Sequence, residues 1–368
     1  IAHDPLEQYC QDKADKLVKL PENLASQVQC IRSDDLDILF IGVYVTAVTK
    51  PTTLIASHRL ARVQVTSINS PVTTRMRNID YYIGGQFSIP ENLEQYREQT
   101  VTVEGSGLCF SHRLTSEKPQ IHPTRSNWGV SDQSTIFISG ANFYKIIPEL
   151  RETWIKIIAA IPNSVLVLYP FNPNWTNQYP KSQFTKTLHS ELHQQGIAPN
   201  RLVIIDALPS PTEIKECLKL GDIYLDSYPY GGATSLVDPL EVGLPVVTME
   251  GNALRFRQAP SLLRELEITD LITSDEQSYI DLAIRLASQP QLRHHYRQLI
   301  QQRMANNPPF LDSRAYSAKI GELFQHLFQE WQMTQASSPP NVQLFSTVPV
   351  PAPTTTSDSS PLPPPEEQ

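Results

Sequence analysis

Short apolar runs alternate with helix-forming stretches between residues 130 and 330. Five of these runs are short and rich in β-branched or aromatic residues, which favours strands: TIFISG, SVLVLYPF, RLVIIDAL, DIYLDSY and PVVTM. The segment LRETWIKIIAAI has helical periodicity, and one face of that helix carries Leu150, Trp154, Ile157, Ile158 and Ile161. Further helices are expected at about 181–195, 211–220 and 234–243. This alternation predicts an α/β fold with a parallel, doubly wound sheet.

The first 125 residues contain a less regular α/β pattern. We predict strands at LDILFIGVYV, RVQVTSI and IDYYIGG, after a polar helix at YCQDKADKLVKL. We therefore expect two units, residues 1–128 and 129–333, joined through SGLCFSHRLTSEKPQIHPTRSNWGVSDQ. Residues 334–368 are rich in Pro, Ser and Thr, so we expect a disordered tail. Recruitment of a partner by this Pro-rich tail is an alternative role.

The 368-residue chain is acidic, with a formal net charge of −8 and a pI near 5.6. Because it also lacks a dense Lys/Arg run, we expect no nucleic-acid partner. No apolar run reaches the ~20 residues of a membrane span, so we expect no membrane span and a cytoplasmic location. Four widely separated cysteines predict reduced, mostly buried thiols rather than a zinc site or a disulfide framework: Cys10, Cys30, Cys109 and Cys217. Asn174 begins a glycosylation pattern short enough to occur by chance.

The stretch SYPYGGATSLVDPLEVGLPVVTMEG, residues 227–251, begins at the end of a predicted strand and opens a predicted helix. Ligands of doubly wound sheets lie beyond the carboxyl ends of the strands, where the amides at a helix N-terminus favour an anion. Gly231 and Gly232 permit positive φ and close backbone approach. Thr234 and Ser235 add hydroxyl donors in the first helical turn. The pattern predicts a site for a phosphate or diphosphate.

Two charged residues belong to the same predicted site. Asp238 would oppose a phosphate directly, so its carboxylate is better suited to accept from a pair of sugar hydroxyls. Lys145 follows the TIFISG strand, faces the same sheet edge and could neutralise a diphosphate. In the structural alternative, the glycine pair is only a turn, Thr234 is a helix N-cap and Lys145 is a solvated surface lysine.

Five segments resemble, in order and spacing, the C-terminal catalytic half of the O-GlcNAc transferase family: NFYKIIPE, IPNSVLVLYPF, APNRLVII, GDIYLDSYPYGGATSLVDPLEVGLPVVTMEG and RFRQAPSLL. The wider group includes SPINDLY-like proteins and bacterial cytoplasmic protein glycosyltransferases. Weaker similarity at RLARVQVTSINSPVTTRMRNIDYYIGG and ENLEQYREQTVTV extends the resemblance over most of residues 10–330. The start of the family's first catalytic domain has no counterpart here. The resemblance therefore implies two facing Rossmann-like domains of the GT-B type, the N-terminal one incomplete.

The same resemblance implies roles for individual residues. Lys145 matches a lysine that contacts the donor diphosphate, and it is the residue we expect to act in catalysis. Thr234 and Ser235 match the phosphate-binding helix start, and Asp238 matches an acid that binds the ribose. The other donor-binding positions that the resemblance implies are Asn142, Gly232, Ala233 and Arg257. Two positions depart from the family, because Ala233 and Ile214 stand where it has histidines that help to hold uracil and phosphate.

The resemblance implies an inverting, metal-independent glycosyltransferase. It would move N-acetylglucosamine or another hexose from a nucleoside diphosphate donor, most simply UDP-linked, to a side chain of an acceptor protein or peptide. No cofactor is implied besides this nucleotide-sugar co-substrate. The first alternative is a non-catalytic nucleotide-binding or interaction module derived from the same fold. The second is another two-domain nucleotide-sugar enzyme, such as an epimerase, which would need acids and histidines that we do not find in the cleft.

No catalytic base can be assigned from the residues alone. His58, His112 and His122 lie in the N-terminal unit, where each is expected to be a surface or loop histidine. Asp35 and Asp37 imitate a metal-binding pair of acids, but they precede an apolar strand and are not expected to hold a metal. Some family members need no protein base, because the proton leaves through the donor phosphate or solvent.

Overall fold

The computed structural model describes residues 5–45, 51–110, 118–169, 181–206, 208 and 210–337. Two all-parallel sheets organise these residues. No helix in these ranges has the length and hydropathy needed to cross a membrane.

The second sheet has six strands, in the spatial order β10-β9-β8-β5-β6-β7. The strands are β5 (Thr135–Ser139), β6 (Ser164–Leu168), β7 (Leu202–Ile204), β8 (Ile223–Leu225), β9 (Val246–Met249) and β10 (Ile272–Thr273). Counted from β5 as the first strand, this is the 3-2-1-4-5-6 order of a doubly wound sheet, so the prediction is confirmed. The order of the strands reverses between β5 and β8, and a crevice opens there beyond their carboxyl ends.

The described part of this unit contains seven α-helices: α4 (Pro148–Ala160), α5 (Lys181–Gln194), α6 (Pro211–Leu218), α7 (Thr234–Glu241), α8 (Gln258–Glu265), α9 (Glu276–Ser288) and α10 (Pro290–Ala305). Pro148 occupies the first position of α4, where its missing N–H costs no hydrogen bond. The predicted face of α4 is fully buried at Leu150, Trp154 and Ile157. The Trp154 indole N–H donates to the Tyr279 hydroxyl of α9 at 3.3 Å, which satisfies the buried donor.

The first sheet has four strands in the order β1-β2-β3-β4. They are β1 (Ile38–Ile41), β2 (Val63–Ser67), β3 (Tyr81–Gly85) and β4 (Gln99–Val103), preceded or joined by α1 (Pro5–Lys13), α2 (Leu24–Ser33) and α3 (Pro51–Ala56). The helix predicted at YCQDKADKLVKL is wrong beyond Lys13, where α1 ends. Strand β4 was not predicted, because QTVTV is a polar edge segment with one fully buried residue, Val103.

Helix α11 (Ser313–Ser337) returns from the second unit and packs on the first sheet. Leu327 is fully buried against Val63, Val65 and Ile83 of that sheet. The predicted boundary at residue 129 assigned most of α11 to the second unit, whereas the helix packs on the first sheet. Residues 334–337, which we predicted to be disordered, form the last turn of this helix. Residues 338–368 of the predicted tail lie outside the described residues.

Hydrogen bonds join the two units at several places. The Gln95 side chain donates to the Asn252 carbonyl at 3.2 Å, and the Ser106 amide donates to the Glu265 carboxylate. A further main-chain bond of 2.8 Å joins two connecting segments, at positions 110 and 310. The carboxyl ends of the first sheet therefore face the second unit.

All four cysteines are free, as predicted. The expectation of mostly buried thiols is wrong, because only Cys217 is fully buried and Cys10 is exposed. The glycosylation pattern at Asn174 lies outside the described residues.

We expect Leu327→Ala to lower the free energy of unfolding by about 2–4 kcal/mol, because it leaves a cavity between α11 and the first sheet. Urea denaturation followed by circular dichroism measures this loss. Gln329→Ala is the matched control on the exposed side of the same helix and should change stability little. Equal stability of the two variants would show that α11 is not docked on this sheet.

Candidate functional site

Two connections meet at the crevice between β5 and β8. After β5, a 3₁₀ turn (Phe143–Lys145) begins at Asn142, whose side-chain oxygen accepts from the Tyr144 amide at 3.1 Å. After β8, residues 226–233 lead into α7. Because β5 and β8 are neighbouring parallel strands, both connections lie at the same end of the sheet. The structure thus brings the predicted lysine and the predicted glycine turn together.

Lys145 contacts the glycine turn directly. Its Nζ donates to the Gly231 carbonyl oxygen at 2.9 Å and lies over the Tyr230 ring, 4.1 Å from the centroid. Burial lowers the pKa of the lysine, while the charge of Asp226 acts in the opposite direction. An ammonium carries three donors, and the structure gives only one of them a hydrogen-bond partner within the described chain. The remaining donors suit an anion in the crevice.

The buried side chain of Asp226 holds the glycine turn in place through hydrogen bonds. This carboxyl is 2% exposed, and its two oxygens accept from the Gly232 amide and from the Thr248 hydroxyl, each at 2.8 Å. Burial raises its pKa to about 6, against the lowering effect of these hydrogen bonds and of Lys145. Sequence reasoning missed Asp226. Its position after β8, at the carboxyl edge where ligands bind, was the signal that could have found it.

The glycine pair is required for space rather than for positive φ. Neither Gly231 nor Gly232 has positive φ, so that part of the expectation is wrong. A Cβ on Gly232 would lie 1.9 Å from Leu236 Cδ2 and 3.1 Å from an Asp226 oxygen. Close backbone approach, the other predicted reason, is what the turn needs.

Helix α7 begins without a side-chain cap. Its N-cap is Ala233, so the structural alternative that made Thr234 the N-cap is wrong. Thr234 is exposed and Ser235 half-buried in the first turn, where the helical amides have no intrahelical partners. This is the geometry expected of an anion site, and binding by these two residues stays a prediction.

The predicted ribose acid has a cationic neighbour. Lys215 Nζ of α6 lies 3.6 Å from Asp238 Oδ1 and also pairs with Glu241. The lysine is adjacent in sequence to Ile214, one of the two positions that depart from the family. A ligand hydroxyl at Asp238 would therefore share the carboxylate with Lys215.

Arg257 lies beside a second acidic residue. Its guanidinium is 3.3 Å from Glu250, which also accepts two hydrogen bonds of 2.7 Å from Arg264. Arg257 Nε is buried and has no hydrogen-bond partner among the described residues. The main chain near Arg257 supports the glycine turn, because the Gly231 amide donates to the Arg255 carbonyl at 2.8 Å.

The other candidates lie elsewhere. His58 is near the amino-terminal edge of the first sheet, where the Gln64 side chain donates to its carbonyl, and His122 is exposed. His112 lies outside the described residues. Asp35 and Asp37 both pair with Arg62, at 3.0 and 3.2 Å. Within the residues that the structure describes, no group of three or more His, Cys, Asp or Glu side chains could hold a metal ion.

We expect Gly232→Ala to destabilise the protein by about 1–3 kcal/mol, because the added methyl group would overlap Leu236. The control is Gly321→Ala, where nothing lies within 4 Å of the new Cβ in α11. That change should stabilise by about 0.5–1 kcal/mol through helix propensity. Urea denaturation of both variants decides the matter, and a neutral Gly232→Ala would refute the close approach.

The pKa of Asp226 predicts a pH dependence of stability. Because the pKa is raised from 3.8 to about 6 in the folded state, the associated stability is complete below about pH 4 and is lost as the pH rises through 6. The loss is on the order of 2–3 kcal/mol. Asp226→Asn should flatten the fall in unfolding free energy between pH 4 and 7, measured by urea denaturation at each pH.

Asp275 is the control for this titration. Its pKa is lowered, chiefly by the hydrogen bond from the Ser278 amide, so its stabilising effect is present above its ordinary pKa and lost as the pH falls. Asp275→Asn should therefore change the slope with the opposite sign and at lower pH. An unchanged slope in Asp226→Asn would contradict the buried titration of Asp226.

Comparison with known proteins places the chain in a family. The family model described as "Glycosyl transferase family 41" matches residues 112–320. The chain is 29% identical over 304 residues to the probable UDP-N-acetylglucosamine–peptide N-acetylglucosaminyltransferase SPINDLY of Solanum lycopersicum, covering 82% of this chain and 31% of that protein. The Arabidopsis thaliana protein of the same name is 30% identical over 281 residues, which is 76% of this chain and 29% of the relative. The chain thus spans less than a third of the length of these relatives.

Solved structures show the fold. An O-GlcNAc transferase mutant of Thermobaculum terrenum matches with a TM-score of 0.75 at 24% identity, covering 90% of this chain and 60% of that chain. Sucrose-phosphate synthase of Thermosynechococcus elongatus matches with a TM-score of 0.56 at 12% identity, covering 86% and 82%. The expected GT-B arrangement of two facing Rossmann-like domains is confirmed. The match of the family model over more than half of the sequence shows that this chain belongs to glycosyl transferase family 41.

Proposed function

We propose that the chain binds a nucleoside diphosphate sugar, most simply UDP-linked, in the crevice between β5 and β8 and transfers the sugar to a protein side chain. The observation that carries the proposal is the contact of Lys145 with the glycine turn that opens α7. A lysine with donors left unpaired by the described residues and a helix N-terminus face the same crevice of a doubly wound sheet. Together they form a cationic site where a diphosphate leaving group would be stabilised.

The proposed reaction is a single displacement with inversion. The acceptor hydroxyl oxygen forms a bond to the anomeric carbon, and the bond from that carbon to the diphosphate oxygen breaks. The electron pair remains on the diphosphate, where Lys145 and the first amides of α7 stabilise the negative charge without a metal. The acceptor proton leaves to the donor phosphate or to solvent, because no described histidine is assigned as a base.

The nucleoside end of the proposed site differs from that of the family. Ala233 and Ile214 supply neither a hydrogen-bond donor nor a positive charge where the family has histidines. Recognition of the base and ribose would then rest on the main chain and on Asp238, which already lies near Lys215. We therefore propose UDP as the first nucleotide to test, with GDP beside it. We assign no particular hexose.

The same observations favour one second candidate, a nucleotide-binding module without transfer activity. Loss of two histidines and the ion pair of Lys215 with Asp238 would weaken nucleoside binding while the diphosphate contacts remain. The two candidates share the donor site. They differ in whether a bound nucleotide sugar loses its sugar to an acceptor peptide.

We expect calorimetry to detect micromolar UDP binding that weakens by about 2 kcal/mol in Lys145→Ala, the scale of losing a charged hydrogen-bonding partner. Lys219→Ala, an exposed lysine that pairs with Glu216, is the control and should bind as the unaltered chain does. If a folded Lys145→Ala variant binds UDP with unchanged affinity, the diphosphate does not lie at Lys145.

A transfer assay separates the two candidates. Radiolabelled UDP- and GDP-sugars are incubated with the chain and a peptide library, with and without EDTA. Labelled peptide that forms equally in EDTA and is lost in Lys145→Ala supports metal-independent transfer. Binding of a nucleotide without any labelled peptide supports the non-catalytic module.

A further inference from the structure

A groove of about 1180 Å³ lies at the amino-terminal ends of β2, β3 and β4. Because the strands are parallel and their carboxyl ends face the second unit, this groove is at the opposite edge of the first sheet from the crevice. We call it the arginine groove, because five guanidiniums line it: Arg32, Arg59, Arg62, Arg77 and Arg97. The last turns of α11 form another wall, with Trp331, Thr334 and Gln335.

Two of the five arginines are neutralised by acids. Arg59 forms a bidentate pair with Asp80, at 2.5 and 2.7 Å. Arg62 pairs with Asp35 and Asp37. These pairs hold two guanidiniums in place and leave the charge of the other three uncompensated.

The remaining three arginines have no ion pair among the residues that the structure describes. Arg32 Nε donates to the Arg59 carbonyl at 3.0 Å, and Arg97 Nη1 donates to the Met76 carbonyl at 3.2 Å. Arg77 is exposed. The groove is therefore locally cationic in a chain whose net charge is −8. Fork-shaped guanidinium donors match carboxylates, so an acidic peptide suits it.

The chain itself supplies an acidic peptide at this wall. Helix α11 ends at Ser337, two residues after Gln335 of the groove. Residues 338–368 contain no Lys or Arg and three acids: Asp358, Glu366 and Glu367. Twenty residues, 338–357, separate the end of α11 from the first of these acids.

We propose that residues 356–368, TSDSSPLPPPEEQ, bind in the arginine groove of the same chain. Each exposed ion pair contributes little alone. The tether raises the local concentration of the segment to about the millimolar range, so a weaker contact is needed than for an untethered peptide. Three carboxylates then face three guanidiniums that lack acidic partners. The tail competes there with any external acidic peptide.

The test uses the full chain with the photo-crosslinker p-benzoylphenylalanine at position 362. We expect crosslinks within one chain to peptides that line the groove, identified by mass spectrometry. Arg77→Glu/Arg97→Glu should reduce them about tenfold, because two exposed attractive charges become repulsive. Neutralising the tail with Asp358→Asn/Glu366→Gln/Glu367→Gln, which leaves the folded units untouched, should do the same.

Arg314→Glu, an exposed arginine at the other end of α11, is the matched control and should keep the crosslinks. The Arg77→Glu/Arg97→Glu variant and the Arg314→Glu control should both bind UDP like the unaltered chain, since the groove lies away from the crevice. Crosslinks spread over other surfaces, or unchanged by charge reversal and tail neutralisation, overturn the proposal. Crosslinks only between two chains overturn it as well and assign the groove to a second copy.

Discussion

The buried carboxylate of Asp226 is the constraint on which the crevice depends. Its oxygens accept from the Gly232 amide and the Thr248 hydroxyl, and its main-chain oxygen accepts from the Tyr279 hydroxyl at 2.8 Å. These bonds tie the turn after β8 to strand β9 and helix α9. A carboxylate taken from water is costly unless its lone pairs are satisfied, so few other arrangements of the turn are accessible. Helix α7 consequently begins at one defined place opposite Lys145.

Lys145 and Asp226 affect each other through charge without a direct hydrogen bond. Burial favours the neutral form of both groups, since it lowers the pKa of the lysine and raises that of the aspartate. Each charge opposes this effect on the other. A diphosphate in the crevice would add negative charge near both, which favours the ammonium form of the lysine and the neutral form of the aspartate. Binding of a diphosphate there would therefore be coupled to proton uptake near pH 6.

Five of the six strands of the second sheet were predictable from the sequence because each lies in a mostly apolar run, and α4 was predictable because it has one apolar face. The two-residue strand β10 (Ile272–Thr273) was not predicted, because it is too short to give a periodic pattern. Strand β4 escaped prediction because its polar alternation is that of an edge. The packing of α11 on the first sheet depends on contacts between residues more than 200 positions apart, such as Leu327 with Val63, which no local pattern reports. In the site, the motif pointed to Lys145 and α7. Asp226 was missed although it directly follows an apolar strand, and the Lys215 pair became visible only through side-chain geometry.

The path of the chain limits how the two units can move. It crosses between them twice, before β5 and again before α11, and these crossings touch. The Phe110 amide donates to the Phe310 carbonyl at 2.8 Å, and their rings are 6.4 Å apart. Nearby, Lys319 of α11 pairs with Glu104 at 2.8 Å. Away from this crossing, Leu254 of the second unit is buried against Ile68 and Tyr82 of the first. The two units are therefore held together both by the crossing and by this apolar contact, and a relative movement of the units has to pivot at the first or break the second.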